Sequence, residues 1–157
     1  MDAAPTGPGV RLPPPVVFLT GLGLGFLLQH WFPVPIAAPG NPIPRLLGGL
    51  LALGSAALAV WAFLTFRRAH TTVRPDRPAA ALITQGPFRF TRNPLYLSLS
   101  LLQAGLALLA NALWPGLMLL PVLLVIRYYV ITREERHLAA RFGADYEAYR
   151  QAVRRWF

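Results

Sequence analysis

The sequence predicts an all-α integral membrane protein with about four transmembrane helices, a hairpin formed by the third and fourth, and a short amphipathic C-terminal helix. Three observations predict this fold class. The 157 residues are 55% hydrophobic and 13% charged, with a mean hydropathy of +0.46, which favours lipid over water as the solvent. The apolar residues form long uncharged runs. The charge lies between and after these runs, and all fifteen basic residues are arginines.

The first half of the chain contains two predicted spans. Residues 1–15 are rich in proline and glycine and are interpreted as a disordered tail rather than a cleavable signal. Residues 16–32 form an uncharged run of marginal spanning length. A loop rich in proline and glycine follows, and residues 46–66 form a full-length second span between arginines. Gly21 and Gly25 have the spacing that lets membrane helices pack closely, which explains them better than a dinucleotide site.

The second half predicts a helical hairpin. Residues 95–131 are apolar for longer than one crossing requires, and asparagine, proline and glycine interrupt them at 111–116. The predicted spans are therefore 95–111 and 114–131. Pro121 is expected to disturb the second of these helices.

The fourth helix is expected to continue past the membrane to Phe142, with Gly143 as its stop. An amphipathic helix should follow over roughly 145–155 and lie against the headgroups. The side chains on its apolar side are Tyr146, Tyr149, Val153 and Trp156.

The placement of arginine predicts the orientation. Residues 67–94 hold six arginines and one aspartate, and residues 132–157 hold six arginines and four acids. The other two loops, 33–44 and 111–116, carry no charge. Both termini and the middle loop should therefore face the cytoplasm of a bacterial inner membrane. The polar residues of a single domain, 16–157, would then share one membrane face.

Composition also limits the function classes. The chain has no cysteine, which excludes disulfides and thiolate ligands, and His30, His70 and His137 show no metal-binding spacing, so no metal is expected. The few serines lie in apolar runs, which disfavours a serine triad. No groove-entering or base-stacking pattern accompanies the arginines, so nucleic acid is not an expected partner. Spans with almost no charge also disfavour a transporter.

A polar segment leads directly into the third span. Pro94 in the first helical turn leaves free backbone N–H groups, and such a helix N-terminus favours an anion such as a carboxylate. Arg92 and Tyr96 could add charge and a hydrogen bond. The alternative interpretation is an ordinary positive flank with a helix-starting proline.

Two adjacent acids, Glu134 and Glu135, follow the end of the fourth span. Neighbouring side chains on a helix point about 100° apart, so one acid could face a pocket and the other an arginine. Arg127 lies seven residues earlier, about 10 Å away along nearly the same face, which leaves room for a zwitterionic ligand. The alternative has Arg127 snorkelling and the acids solvated. His70, Thr71 and Thr72 could line the same pocket, although a lone interfacial histidine is more often a polar anchor.

About the last ninety residues carry an ordered set of short motifs. The set consists of Thr71-Thr72-Val73, Gly86-Pro87-Phe88-Arg89, Arg92-Asn93-Pro94-Leu95-Tyr96, Glu134-Glu135, Leu138, Phe142-Gly143, Tyr146, Tyr149 and Arg154-Arg155-Trp156. As an ordered whole it resembles the isoprenylcysteine carboxyl methyltransferase and phospholipid methyltransferase superfamily. The resemblance implies a multi-span membrane enzyme that holds S-adenosylmethionine between its helices and cytoplasmic tail.

The resemblance also implies a set of site residues. Arg92 and Glu135 are expected to be catalytic. The residues expected to bind the cofactor, with Arg127 added from its spacing, are Arg92, Asn93, Pro94, Tyr96, Arg127, Glu134 and Glu135.

The methyl acceptor is left open by the sequence. A lipid, or a lipidated small molecule or peptide, fits a site at a membrane face, and its reacting group could be an isoprenylcysteine carboxylate or a phospholipid amine. A carboxylate needs no base, whereas an amine must lose a proton to a glutamate or to water. The chain has Asn93 where many members have histidine and Ser98 where many have glycine. These departures motivate the alternative of a non-enzymatic or degenerate membrane protein of the same fold.

Overall fold

The computed structural model describes residues 9–69 and 81–156, and the regular structure in these residues is entirely helical. A 3₁₀ turn at Gly86–Arg89 precedes the third long helix, and a π-helix at Ile126–Ile131 lies within the last long helical run. The α-helices are α1 (Pro14–Trp31), α2 (Ile43–Arg68), α3 (Pro94–Leu109), α4 (Leu113–Leu117), α5 (Leu119–Val125), α6 (Thr132–Phe142) and α7 (Ala144–Ala152).

Within the described residues, two helical segments are long and apolar enough to cross a membrane. They are α2, with 26 residues, and the run Leu113–Phe142, with 30 residues. The most apolar 18-residue stretches of these segments have mean hydropathies of 2.0 and 1.7, respectively. The protein itself buries only 17% and 28% of their most apolar stretches. Such extensive outward apolar surface suits lipid rather than water. The predicted all-helical class is confirmed, and two of the four predicted spans meet the requirements for a crossing.

The N-terminal end differs from the prediction. Pro14 and Pro15 lie in the first turn of α1, where a missing backbone N–H breaks no helical hydrogen bond. Val10 is buried in a core cluster with Phe18. The predicted disordered tail is therefore wrong for its last residues, and the remainder of that prediction, residues 1–8, lies outside the described residues.

The predicted hairpin between the third and fourth helices is present, and residues 110–112 form its turn. Asn111 has a positive φ of 49°, and α4 already begins at Leu113 because Pro115 is tolerated in a first helical turn. A second interruption separates α4 from α5 around Met118. Pro121 explains it, since proline has no N–H to donate to the carbonyl of Leu117.

Glycines allow the helices to pack closely. A Cβ atom on Gly48 would lie 2.7 Å from the carbonyl oxygen of Gly105, at the extensive contact between α2 and α3. A Cβ on Gly25 would lie 2.5 Å from the Cα of Pro115, and one on Gly21 would clash with Val122. The predicted packing role of Gly21 and Gly25 is confirmed, whereas Gly48 and Gly105 were not anticipated.

The two uncharged loops contact each other at one end of the bundle. The Asn111 side chain accepts a hydrogen bond from the Ala37 N–H (2.9 Å) and donates one to the Ala37 carbonyl (3.0 Å). Trp114 Nε1 donates to the carbonyl of Phe32 (2.7 Å). These bonds hold the loop between α1 and α2 against the turn of the hairpin. The charged segments therefore meet at the opposite end.

At that opposite end α6 stops after Phe142, and Gly143 terminates it as predicted. Gly143 has a positive φ of 52°. The next helix, α7, is shorter than expected, because the chain turns extended at Val153. The predicted position of Tyr146 and Tyr149 against headgroups is wrong, because both are buried against the 3₁₀ turn and α2, in a cluster with Phe88 and Ala62.

Candidate functional site

The chain end and the segment before α3 are joined by hydrogen bonds. We call residues 153–156 the C-terminal strap. The N–H of Arg92 donates to the carbonyl of Arg154 (3.1 Å), and the side chains of Thr91 and Asn93 donate to the carbonyl of Arg155 (3.2 and 2.9 Å). Three donors on consecutive residues thus hold the strap, and the segment before α3 is fixed by a contact distant in sequence.

A half-buried ion-pair cluster lies beside the strap. Arg155 donates from Nε and Nη2 to the two oxygens of Glu135, at 3.0 and 2.7 Å, and this bond raises the pKa of Arg155. Nη1 of Arg92 lies 3.3 Å from Oε1 of the same carboxylate. The side chains of Arg92 and Glu135 are only 10% and 14% exposed, so the pair is shielded from water. The bidentate geometry orients the guanidinium of Arg155, and the same carboxylate attracts that of Arg92.

The neighbouring acid has a different partner. The hydroxyl of Tyr96 donates to Oε1 of Glu134 at 2.6 Å. Because successive side chains on a helix diverge by about 100°, Glu134 meets α3 while Glu135 meets the arginines. The structure therefore brings the 92–96 segment and both glutamates together, in the divergent arrangement expected from their spacing.

Two tyrosines of α7 also contact this region, and sequence reasoning did not assign them to it. Arg92 Nη1 donates to the hydroxyl of Tyr146 (3.3 Å), and the hydroxyl of Tyr149 donates to the carbonyl of Phe88 (2.7 Å). Burial raises the pKa of both phenols, which therefore stay neutral. The i, i+3 spacing of the tyrosines indicated a shared face, but did not indicate which surface that face meets.

Arg127 is not brought into this cluster. Its side chain is exposed, with the guanidinium 5.6 Å from the ring centre of Tyr128. The predicted shared face with Glu134 assumed a regular α-helix. The intervening π-helix places more residues in each turn and so changes the angle between the two positions. Arg127 instead borders a mostly apolar groove of about 410 Å³ lined by Leu97, Ser100, Leu123, Leu124, Arg127 and Trp156.

The other residues singled out in the sequence lie at different distances from the ion-pair cluster. Pro94 begins α3 as expected. Ser98 lies away from the cluster, since its carbonyl accepts a hydrogen bond from Ser55 of α2 at 2.7 Å. His70, Thr71 and Thr72 lie outside the described residues. Arg155 is the site residue that sequence reasoning missed as an ion-pair partner, although it belonged to the motif set.

The site has donors that fit an anionic ligand. The Nε of Arg92 is buried and has no hydrogen-bond partner among the described residues. The side chain of Asn93, which precedes α3, makes no capping bond to the helix. Free N–H groups at this N-terminus and an unused guanidinium donor suit a carboxylate.

Comparison with known proteins places the chain among the methyltransferases. The family model for phospholipid methyltransferases matches residues 43–145, and the chain belongs to that family. A protein of Haemophilus influenzae (strain ATCC 51907 / DSM 11121 / KW20 / Rd), described as uncharacterized, is 44% identical over 64 residues, covering 40% of this chain and 98% of the relative. No solved structure matches the chain.

Proposed function

We propose that the protein is an S-adenosylmethionine-dependent methyltransferase that acts on a membrane-associated acceptor. The observation that carries this proposal is the convergence of the segment before α3 with both glutamates of α6, around a buried Arg92 donor that has no partner among the described residues. Membership in the phospholipid methyltransferase family supports the reaction class. We further propose four spans in a bacterial inner membrane, with both termini cytoplasmic.

Each residue of the cluster receives a role from its contacts. Arg92 Nε and the N-terminus of α3 bind the cofactor's carboxylate, and Glu134 accepts hydrogen bonds from its ribose hydroxyls. Glu135, which the resemblance implied to be catalytic, is instead proposed as a positioning residue, because both of its oxygens are used to hold Arg92 and Arg155. Asn93 positions the strap through the carbonyl of Arg155. The cofactor, when bound, supplies the electrophilic methyl group.

The acceptor's apolar chain is proposed to lie in the groove between α3 and α5. This groove begins beside the cluster, since Leu97 follows Tyr96 and Ser100 donates to the carbonyl of Tyr96 at 2.7 Å. Trp156 and Arg127 border it, so the polar end of an amphiphile would lie near the strap. Placing a lipid-borne nucleophile beside a bound methyl donor supplies the proximity on which such a transfer depends. Isoprenylcysteine carboxylates, phospholipid amines and other amphiphiles all fit this description.

The test is calorimetric titration of the purified protein with S-adenosylhomocysteine. We expect binding that Glu134→Gln weakens by about fivefold, since a hydrogen bond contributes about 1 kcal/mol. The matched control is Glu147→Gln, which changes an acid of α7 in an exposed pair with Arg150 and should leave affinity unchanged. A folded protein that binds none of this ligand would refute the proposal.

One observation favours a second candidate, a non-enzymatic protein of the same fold. The strap already pairs with Glu135, so the ion-pair cluster is also explained as a purely structural fastening. This candidate predicts that radiolabelled methyl groups from the cofactor never reach the lipids, isoprenoids or peptides of membranes containing the protein. Labelling that requires an intact Glu134 would eliminate it.

A further inference from the structure

A second surface, separate from the ion-pair cluster, lies on the exposed side of the last helical run. It is a shallow groove of about 520 Å³ that begins at apolar side chains of α5 and ends at two arginines of α6. We call it the basic stripe. Its residues are Leu124, Val125, Tyr128, Tyr129, Thr132, Arg133 and Arg136.

The π-helix is what aligns this stripe. A regular α-helix has 3.6 residues per turn, so side chains four residues apart are rotated around the axis relative to each other. Leu124, Tyr128 and Arg136 would therefore not lie on one face of a regular helix. The i→i+5 bonds of Ile126–Ile131 place more residues in each turn and offset that drift. The apolar, aromatic and basic side chains therefore follow one another along a single face.

The stripe is positively charged, and its arginines are available. Arg136 is exposed, and the guanidinium of Arg133 lies 3.9 Å from the ring centre of Tyr129, a cation–π contact that orients it. Both glutamates of α6 are used elsewhere, by Tyr96 and by the ion-pair cluster. Among the described residues, no carboxylate lies within ion-pair distance of either arginine of the stripe.

The depth of the stripe matches a lipid headgroup. Arg133 and Arg136 follow Ile131, where the apolar stretch 95–131 ends, by two and five positions, which is about 3 and about 8 Å along the axis. Leu124 is 57% exposed and Tyr128 is 67% exposed, so an apolar chain can lie against them. One amphiphile could therefore contact the whole stripe.

We propose that the basic stripe binds an anionic phospholipid, with its phosphate between Arg133 and Arg136 and one acyl chain along Leu124 and Val125. The inference rests on Leu113–Phe142 crossing the membrane, and is independent of the methyl-transfer proposal. Arginine binds phosphate through two parallel N–H donors. In a zwitterionic headgroup the lipid's own cation offsets the charge of that phosphate, so the attraction to arginine is weaker. Each basic residue near an anionic leaflet contributes about 1 kcal/mol.

The test is native mass spectrometry of the full chain in detergent, with added phosphatidylglycerol or phosphatidylcholine of identical acyl chains. The wild type should bind phosphatidylglycerol preferentially, and Arg133→Gln/Arg136→Gln should weaken that binding by about thirtyfold. The matched control is Arg67→Gln/Arg68→Gln, which removes two exposed arginines at the end of α2. It should retain the wild-type preference.

Several outcomes would overturn the proposal. They are equal losses in the two double variants, equal binding of the two lipids, and displacement of the lipid by glycerophosphate at matched concentration, which would indicate a soluble phosphate ligand. If the stripe double variant does not fold, Arg136→Gln alone provides the test, because this side chain is exposed. It should lower phosphatidylglycerol binding several-fold, and an unchanged affinity would contradict the inference.

Discussion

At the scale of single residues, Glu135 is the side chain on which the geometry of the ion-pair cluster depends. Its carboxylate contacts two arginines that are far apart in the sequence, one before α3 and one in the strap. Without it, Arg92 would keep a largely shielded charge with no acidic partner among the described residues. Removing one partner of a shielded pair costs more than the pair contributes, because the other charge stays desolvated.

We expect Glu135→Gln to lower the free energy of unfolding by about 2 kcal/mol, less than for a fully buried pair because Arg155 is partly exposed. Denaturant unfolding in detergent micelles would measure it. Glu147→Gln is the matched control, and should cost less than about 0.5 kcal/mol because its pair with Arg150 is exposed. Equal effects of the two substitutions would show that the cluster has no structural role.

At the scale of elements, close packing of α1 against α4 depends on a glycine face. Gly25 lies against Pro115, whereas a Cβ on Gly23 would meet no atom within 4 Å. Both positions are glycines of α1, and they differ only in what they face. Comparing alanine substitutions at the two positions therefore separates the effect of helix propensity on stability from the effect of packing.

We expect Gly25→Ala to destabilise the protein by about 1 to 3 kcal/mol, because the backbone of Pro115 must shift. Gly23→Ala should be neutral or stabilise by up to about 1 kcal/mol, since alanine favours the helix. Thermal unfolding in detergent, followed by circular dichroism, would compare them. A stabilising Gly25→Ala would mean that α1 does not pack on α4 as described.

At the scale of the whole molecule, the two ends of the bundle differ in chemistry. One end joins two uncharged loops through Asn111 and Trp114, and the other joins charged segments through Glu135. The positive-inside rule predicts that the charged end faces the cytoplasm. The absence of cysteine makes single-cysteine labelling direct.

We expect Ala38→Cys to react with a membrane-impermeant maleimide in intact spheroplasts, and Ala148→Cys to react only after permeabilisation. Both alanines are exposed, Ala38 in the uncharged loop and Ala148 on α7, so their reactivity differs by membrane side alone. Gel-shift detection of the labelled protein gives the readout. Labelling of both positions in intact cells would contradict the proposed orientation.

The local features were predictable because they depend on short stretches of chain. Hydropathy and proline placement predicted the long helices, the hairpin and the stop at Gly143. The motif order predicted the family. Which glycines meet another helix was only partly predictable, since Gly48 and Gly105 face each other across helices whose rotation no local pattern specifies.

By itself the sequence determined the helical class, the family and the polar residues before α3 and on α6. The tertiary structure alone decided how these residues are placed. The strap supplies Arg155 to Glu135, and the tyrosines of α7 are buried in protein rather than at headgroups. A π-helix turns Arg127 outward. The physical reason is that composition and periodicity are local. Ion pairing and helix rotation depend on which distant surfaces are brought together.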